Sequence, residues 1–170
     1  MKPIKLIFLD IDGVLNTSDY QACLHILCRS KHPQEEINKG KLMPYYTRDH
    51  YGQLFNPMCV KFLEALLRNT GAKIVISSTW RMEGLSKMRD MWKGRHYFGE
   101  IIGITPVSKG RVRGLEIAEF LGNFEGDVES YVIIDDDSAD IHQKERLCKC
   151  NNRTGFGYKE YWEALKILES

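Results

Sequence analysis

The chain has 170 residues, of which 43% are hydrophobic and 28% charged, and its formal net charge is +1 at pH 7. This composition predicts one globular domain spanning residues 1–170 and gives no electrostatic argument for nucleic-acid binding, although it allows a local basic pocket. No apolar run approaches the ~18 residues of a membrane helix, so we expect a cytoplasmic protein without a membrane partner.

The cysteine pattern favours reduced thiols over a disulfide framework. The five cysteines are odd in number and lack the paired spacing of a zinc site. A metal site built from Cys148 and Cys150 with Cys23 and Cys28 is the alternative. The segment 148–150, however, also has the pattern of a core strand.

Residues 5–16, Lys-Leu-Ile-Phe-Leu-Asp-Ile-Asp-Gly-Val-Leu-Asn, form the motif around which the chain is organised. The apolar residues 6–9 predict a strand buried on both faces of a parallel sheet and ending at Asp10. Asp12 follows on the same side of an extended chain, and Gly13 then allows the backbone to turn. Two carboxylates this close require a hard cation such as Mg²⁺ or a shared proton.

An Asp-x-Asp-Gly stretch is also common as a plain turn after a strand or as the start of a calcium loop. A calcium loop would continue with oxygen ligands at alternating positions, whereas Val14, Leu15 and Asn16 follow here. The calcium loop is therefore excluded, and the later motifs must separate a metal site from a plain turn.

Residues 17–57 lose strand periodicity and carry a predicted helix at 20–29 followed by a polar stretch with prolines and glycines. Such long excursions are uncommon in compact domains and usually serve as lids or substrate-binding loops. We therefore predict a small cap or loop insertion within the domain, with a solvated loop as the alternative.

A second buried strand is predicted at 73–76, after an amphipathic helix over 57–71. The strand is followed by a polar run: Ser77, Ser78, Thr79, Trp80 and Arg81. Hydroxyls and free backbone N–H groups that converge at a strand end suit anion binding. Capping of a helix predicted over 81–92 is the alternative.

A third strand is predicted at 101–105, and three cations, Lys109, Arg111 and Arg113, precede the next helix, which ends at Gly122. The helix macrodipole disfavours cations at a helix N-terminus, which indicates a function for at least one of them. Surface solubility is the alternative, and the sequence does not distinguish among the three.

A fourth strand at 131–134 ends in the consecutive carboxylates Asp135, Asp136 and Asp137. These carboxylates cannot all be buried unless a metal or another cation compensates them. A fifth, edge strand is predicted within 146–150.

A C-terminal helix at 158–168 completes an alternation of strands and helices. This pattern predicts an α/β fold, a three-layer, doubly wound, Rossmann-like parallel sheet. Sites in such sheets gather at the carboxyl ends of the strands, where all the candidate residues lie.

Together these motifs resemble the four motifs of the haloacid dehalogenase (HAD) superfamily of phosphotransferases. The residues that carry the resemblance are Asp10 and Asp12, Ser77, a cation at Lys109 or Arg113, and Asp135 with Asp136. The run 76–81, with Arg113 shortly before Glu116, is similar to a HAD branch of RNA-repair proteins and to the phosphatase domains of polynucleotide kinase/phosphatases. The resemblance spans residues 6 to 168 and implies a five-stranded sheet, Mg²⁺ dependence and a small cap at 17–57.

The resemblance implies a phosphomonoester hydrolase with an aspartyl-phosphate intermediate. Its substrate stays open among nucleic-acid ends, mononucleotides and other small phosphomonoesters. Asp10 is then the nucleophile, Asp12 the general acid and base, and Ser77 a ligand of a phosphoryl oxygen. Arg113 or Lys109 supplies positive charge. The predicted substrate-binding residues are Gly13, Ser78, Thr79 and Arg81. The predicted metal ligands are Asp10, Asp135 and Asp136, with Asp12 or its neighbour Ile11 contributing through the backbone.

Two other classes remain open. The first is a phosphate- or nucleotide-binding module with a non-catalytic site, although the sequence supplies a charged residue for every catalytic role. A receiver-like phosphoacceptor domain is the second. It needs its acceptor aspartate at the end of a later strand, where Ser77 and Thr105 stand instead.

Overall fold

The computed structural model describes residues 3–170 as an α/β fold. The elements in chain order are β1 (Ile4–Leu9), α1 (Ser18–Lys31), α2 (Gln34–Asn38), α3 (Met43–Thr47), β2 (Arg48–Asp49), β3 (Gly52–Gln53), α4 (Pro57–Thr70), β4 (Lys73–Ile76), α5 (Leu85–Gly94), β5 (Ile101–Ile104), α6 (Arg113–Asn123), β6 (Val128–Asp135), β7 (Leu147–Lys149) and α7 (Tyr158–Glu169). Five strands form one parallel sheet in the order β5-β4-β1-β6-β7, and β2 with β3 forms a separate hairpin. The predicted Rossmann-like parallel sheet is confirmed.

Strand β1 lies at the centre of the sheet, with helices on both faces. Because successive side chains point to opposite faces, Ile7 and Leu9 join the larger core, which includes residues of α4, α5 and α7. Leu6 and Phe8 join a smaller core with Ile117 of α6. All four of these β1 side chains are fully buried. The continuous apolar run 6–9 therefore reflects a strand that is covered on both sides.

The segment 17–57 contains three helices and the β2–β3 hairpin, so it is more regular than the polar pattern suggested. The Gln21 side chain donates to the carbonyl of Leu54 at 2.9 Å, and the backbone N–H of Asn56 donates to the carbonyl of Leu15 at 2.7 Å. The first bond joins the two ends of the segment to each other, and the second fastens it to the chain that follows β1. Its role as a cap stays a prediction.

Arg95, just beyond α5, holds the hairpin in place. Its guanidinium donates to Asp49 at 2.8 and 3.0 Å and to the carbonyls of Gly52 and Gln53 at 3.3 and 3.0 Å. Although burial raises the pKa of Asp49, the hydrogen bonds from Arg95 and the Tyr51 backbone lower it below its usual value. The hairpin is thereby fixed against the end of α5.

The helix predicted over 81–92 is divided in the structure. A 3₁₀ helix at Thr79–Glu83 is followed by α5, and Gly84 between them has φ of +90°, which interrupts a right-handed helix. Ser78 precedes the first of these helices and accepts from the backbone N–H of Trp80 at 3.4 Å. Strand β6 begins at Val128, three residues earlier than predicted.

Two findings concern the membrane helix and the cysteine metal site that were considered from the sequence. Within residues 3–170 no helix is long and apolar enough to cross a membrane. All five cysteines are free, and the group of potential metal ligands found in this part of the chain contains no cysteine.

A buried ion pair joins the turn after β4 to the first turn of α6. Arg81 Nη2 lies 2.6 Å from Glu116 Oε2, and both side chains are almost fully buried. Arg81 Nη1 also donates to the carbonyl of Ser78 at 2.9 Å, while Glu116 accepts from the backbone N–H of Ser108 at 3.0 Å. The pair therefore sets the position of α6 relative to the end of β4.

Glu116→Gln is expected to lower the free energy of unfolding by about 3–5 kcal/mol, because it leaves the Arg81 charge uncompensated in the interior. Urea unfolding followed by circular dichroism measures the change. Glu83→Gln is the matched control, since it breaks the exposed pair with Lys87 and should shift the midpoint little. Equal shifts in the two variants would contradict the stabilising role of the buried pair between Arg81 and Glu116.

Candidate active site

Two aspartates lie side by side where β1 and β6 end. The parallel pairing of Leu9 with Ile134 brings Asp10 next to Asp135, and only 6% and 1% of these two residues is exposed. Asp136 follows with a partly exposed side chain. Carboxylate oxygens of Asp10, Asp135 and Asp136 lie within 4.8 Å of one another. The structure therefore brings together the carboxylates that follow two separate predicted strands.

Arg113, the first residue of α6, bridges two of these carboxylates. Its Nη1 lies 3.2 Å from Asp10 Oδ1 and 2.8 Å from Asp135 Oδ2. Its backbone N–H donates to Asp140 Oδ2 at 2.9 Å, so an acidic side chain offsets the helix dipole at this end. Lys109, the other candidate cation, is exposed in the preceding turn and forms no ion pair within residues 3–170.

The raised pKa values of the clustered carboxyls indicate that Arg113 alone does not compensate the negative charge of the site. Burial and then the negative charge of Asp10 raise the pKa of Asp135 to about 7, against the opposing effect of Arg113. Burial raises the pKa of Asp10 as well, although Arg113 and a hydrogen bond from the Ser78 side chain act to lower it. Burial also raises the pKa of Asp136. One guanidinium leaves two of the three carboxylate charges uncompensated.

This donor set fits Mg²⁺. All three side chains offer hard oxygen ligands, and a divalent ion matches the two uncompensated negative charges. Asp10, Asp135 and Asp136 are the residues that would hold the ion. The Asp12 side chain lies outside this cluster.

Asp12 is held in a different environment. It is exposed, its Oδ1 accepts from Asn16 Nδ2 at 2.8 Å, and its Oδ2 accepts from Trp80 Nε1 at 3.1 Å. Asn16 is itself fixed, because Nδ2 also donates to Gln53 at 2.6 Å and its Oδ1 accepts from Gln21 at 2.9 Å. Both oxygens of Asp12 are thus oriented by donors at the mouth of a cavity.

Asn16 and Gln53 are not among the site residues that the sequence predicts. Asn16 could have been found, because it lies four residues after Asp12 in the same motif. Gln53 could not, since it is 37 residues from Asn16 and reaches it only through the fold of the hairpin.

The hydroxyl run after β4 is divided among several environments. Ser78 is buried beside Asp10, where its side chain acts to lower the pKa of that carboxyl, whereas Thr79 is exposed and lines the aspartate cavity. Ser77 is fully buried, and its Oγ has no hydrogen-bond partner among the described residues. Arg81 lies in the ion pair with Glu116 instead of facing the aspartates. The substrate-binding roles of these four residues stay predictions. Ser78, beside Asp10, and Thr79, in the cavity wall, are better positioned for such a role than Ser77 and Arg81.

The aspartate cavity has a volume of about 690 Å³, and Asp10, Asp12 and Arg113 line it. Gly13, also in its wall, has φ of +76°, and a Cβ atom there would overlap the Asp136 carboxylate. Glycine at position 13 is thus required both by the turn and by the close approach of Asp136.

Comparisons with known proteins identify a family for this chain. Residues 6–160 match the family described as the HAD domain in Swiss Army Knife RNA repair proteins. A solved haloacid dehalogenase-like family hydrolase from Streptococcus pneumoniae is 20% identical in sequence, with a TM-score of 0.44 over 98% of this chain and 92% of that chain. No curated protein matches the chain.

Mg²⁺ is expected to raise the melting temperature by several degrees, and more at pH 8 than at pH 5. The pKa of Asp135 in the folded state is raised to about 7. The contribution of this residue to the stability of the fold is therefore present at low pH and lost as the pH rises from about 4 through 7. A divalent ion offsets this loss only where the carboxyls are charged. Thermal unfolding with EDTA or Mg²⁺ across this range measures the effect, and a Mg²⁺ shift that does not grow with pH would contradict it.

Gly13→Ala is expected to weaken Mg²⁺ binding at least ten-fold, since the added methyl group displaces the Asp136 carboxylate. Isothermal titration calorimetry measures the affinity. Gly40→Ala is the matched control, because Gly40 has a similar φ of +67° and no atom within 4 Å of an added Cβ. Similar losses of affinity in both variants would show that backbone strain, and not Asp136, is responsible.

Proposed function

This chain belongs to the family of HAD domains in Swiss Army Knife RNA repair proteins, and on that premise we propose that it is a Mg²⁺-dependent phosphomonoester hydrolase that forms an aspartyl-phosphate intermediate. The observation that carries the proposal is the contrast between two aspartates two residues apart. Asp10 is buried beside Arg113 and the metal-site carboxylates, whereas Asp12 is exposed and stands apart from them. Such a contrast suits a nucleophile and a proton donor.

Asp10 is the nucleophile in this proposal. A carboxylate oxygen of Asp10 forms a bond to phosphorus while the bond from phosphorus to the leaving alkoxide breaks. Arg113, 3.2 Å from Asp10, orients the nucleophile and offsets the charge of the phosphoryl oxygens. In this proposal Thr79, which lines the cavity wall, donates to one of those oxygens. Bound Mg²⁺ supplies further neutralisation of the phosphoryl group.

Asp12 is the general acid and base. It gives a proton to the departing alkoxide, then takes a proton from the water whose oxygen attacks phosphorus as the bond to Asp10 breaks. The hydrogen bonds from Asn16 and Trp80 keep its carboxyl facing the cavity through both steps. Asp10 is regenerated and inorganic phosphate leaves.

Phosphorylated nucleic-acid ends and nucleotides are the substrates we propose. The support is the family description, which places its HAD domains in RNA repair proteins. A binding module with a non-catalytic site is the competing function, and it predicts phosphate binding without turnover.

Mg²⁺-dependent phosphate release from an aryl phosphate is the first assay. Asp10→Asn is expected to reduce release at least 1,000-fold without unfolding the protein, because it is isosteric and removes the nucleophile. Undiminished release by Asp10→Asn would exclude the aspartyl-phosphate route. A folded wild-type protein that binds Mg²⁺ and phosphate but releases none from aryl, nucleotide or oligonucleotide phosphates would favour the binding module.

Asp12→Asn tests, in the same assay, whether Asp12 acts in proton transfer or as a metal ligand. Release is expected to fall at least 100-fold, while the rise in melting temperature with Mg²⁺ persists because the Asp12 side chain lies outside the metal cluster. Loss of both together would place Asp12 among the metal ligands.

A further inference from the structure

A second cavity, of about 670 Å³, lies beside the aspartate cavity. Gln53 and Thr79 line both, so the two spaces adjoin. The walls of the second cavity come from the β2–β3 hairpin, the 3₁₀ helix after β4, and α5. The proposed chemistry at Asp10 uses none of this space.

The position of Asp12 relates this cavity to the reaction. In-line displacement places the leaving oxygen on the side of phosphorus opposite the nucleophile, and the proton donor must reach that oxygen. The leaving group therefore extends from the phosphoryl group past Asp12. Trp80 donates to Asp12 at 3.1 Å and also lines the second cavity. The second cavity therefore begins where the leaving group emerges.

The walls of the second cavity suit a planar ring. Trp80, His50 and Tyr51 contribute aromatic surfaces, and the ring centroids of His50 and Tyr51 lie 3.7 Å apart. Buried Met88 and Met91 form an apolar part of the lining. Aromatic surfaces of this kind bind nucleobases by stacking, with little dependence on which base is present.

Charged side chains of both signs surround these aromatic groups. The cations are Arg48 and Lys87, and the acids are Glu83 and Asp90. Because their formal charges balance, the cavity does not select a second phosphate by net charge. An uncharged, hydrogen-bonding ring fits it better than a small anionic group.

We propose that this second cavity is the leaving-group subsite and that it binds the base of a nucleoside phosphomonoester, an inference that rests on the proposed phosphatase function. Trp80 forms a wall of the subsite and is also a positioning residue for Asp12. A substrate whose alcohol carries no ring leaves the aromatic walls uncontacted.

The test compares kcat/KM for adenosine 3′- and 5′-monophosphate with kcat/KM for glycerol phosphate, in the presence of Mg²⁺. At least one nucleotide is expected to be preferred ten-fold or more. Tyr51→Leu is expected to reduce this preference at least five-fold. Tyr45→Leu is the matched control, because Tyr45 is 82% exposed on α3 and does not line the subsite, so the preference should persist.

The outcomes separate this inference from the function on which it rests. Equal kcat/KM for nucleotides and glycerol phosphate, or an equal preference in wild type and Tyr51→Leu, overturns the subsite and leaves the phosphatase intact. If no substrate releases phosphate, the proposed function fails, and binding of adenosine monophosphate, followed by tryptophan fluorescence, tests the subsite. Binding weakened by Tyr51→Leu but not by Tyr45→Leu supports it, and absence of binding overturns it.

His50→Ala provides a second variant if Tyr51→Leu does not fold, as judged by circular dichroism. His50 is exposed and its ring lies against Tyr51, so its removal shortens the aromatic wall with little effect on the core. The nucleotide preference is expected to fall at least two-fold. An unchanged preference in this folded variant overturns the subsite.

Discussion

Repulsion between Asp10 and Asp135 is the constraint on which the rest of the site depends. The parallel pairing of β1 with β6 leaves the two carboxyls buried next to each other, and the pKa of Asp135 rises to about 7 as a result of burial and the Asp10 charge. Arg113 lies against both and offsets part of this cost. Since Arg113 is the first residue of α6, the position of that helix is part of the electrostatics of the site.

Two further interactions transmit this constraint to the surrounding fold. The buried pair between Arg81 and Glu116 ties the first turn of α6 to the end of β4, from which Ser78 reaches Asp10. On the other side, Arg95 fixes the hairpin that carries Gln53 and thereby supports Asn16 beside Asp12. The same scaffold therefore keeps one aspartate buried among charges and the other exposed at a cavity mouth. This separation gives the proposed reaction distinct groups for nucleophilic attack and proton transfer.

The sequence predicted the sheet well because its signals are local. A strand covered on both faces must be continuously apolar, as in residues 6–9, and polar residues that follow such strands mark the carboxyl edge of the sheet. The helix predicted over 81–92 was wrong in its continuity, because Gly84 divides it. The assignment of Arg81 to substrate depended on its being close to the hydroxyl run in sequence, whereas its burial against Glu116 follows from the packing of α6.

By itself the sequence determined the α/β fold, the two aspartate motifs and the edge of the sheet where they meet, because strand patterns and their polar ends are properties of adjacent residues. Only the tertiary structure decided between Lys109 and Arg113 as the cation in contact with Asp10, and brought Ser78 instead of Ser77 to that carboxylate. It alone joined Gln53 to Asn16 and Trp80 to Asp12. Those contacts join residues far apart in the chain, and their geometry depends on how α6 and the hairpin pack, which no local pattern encodes.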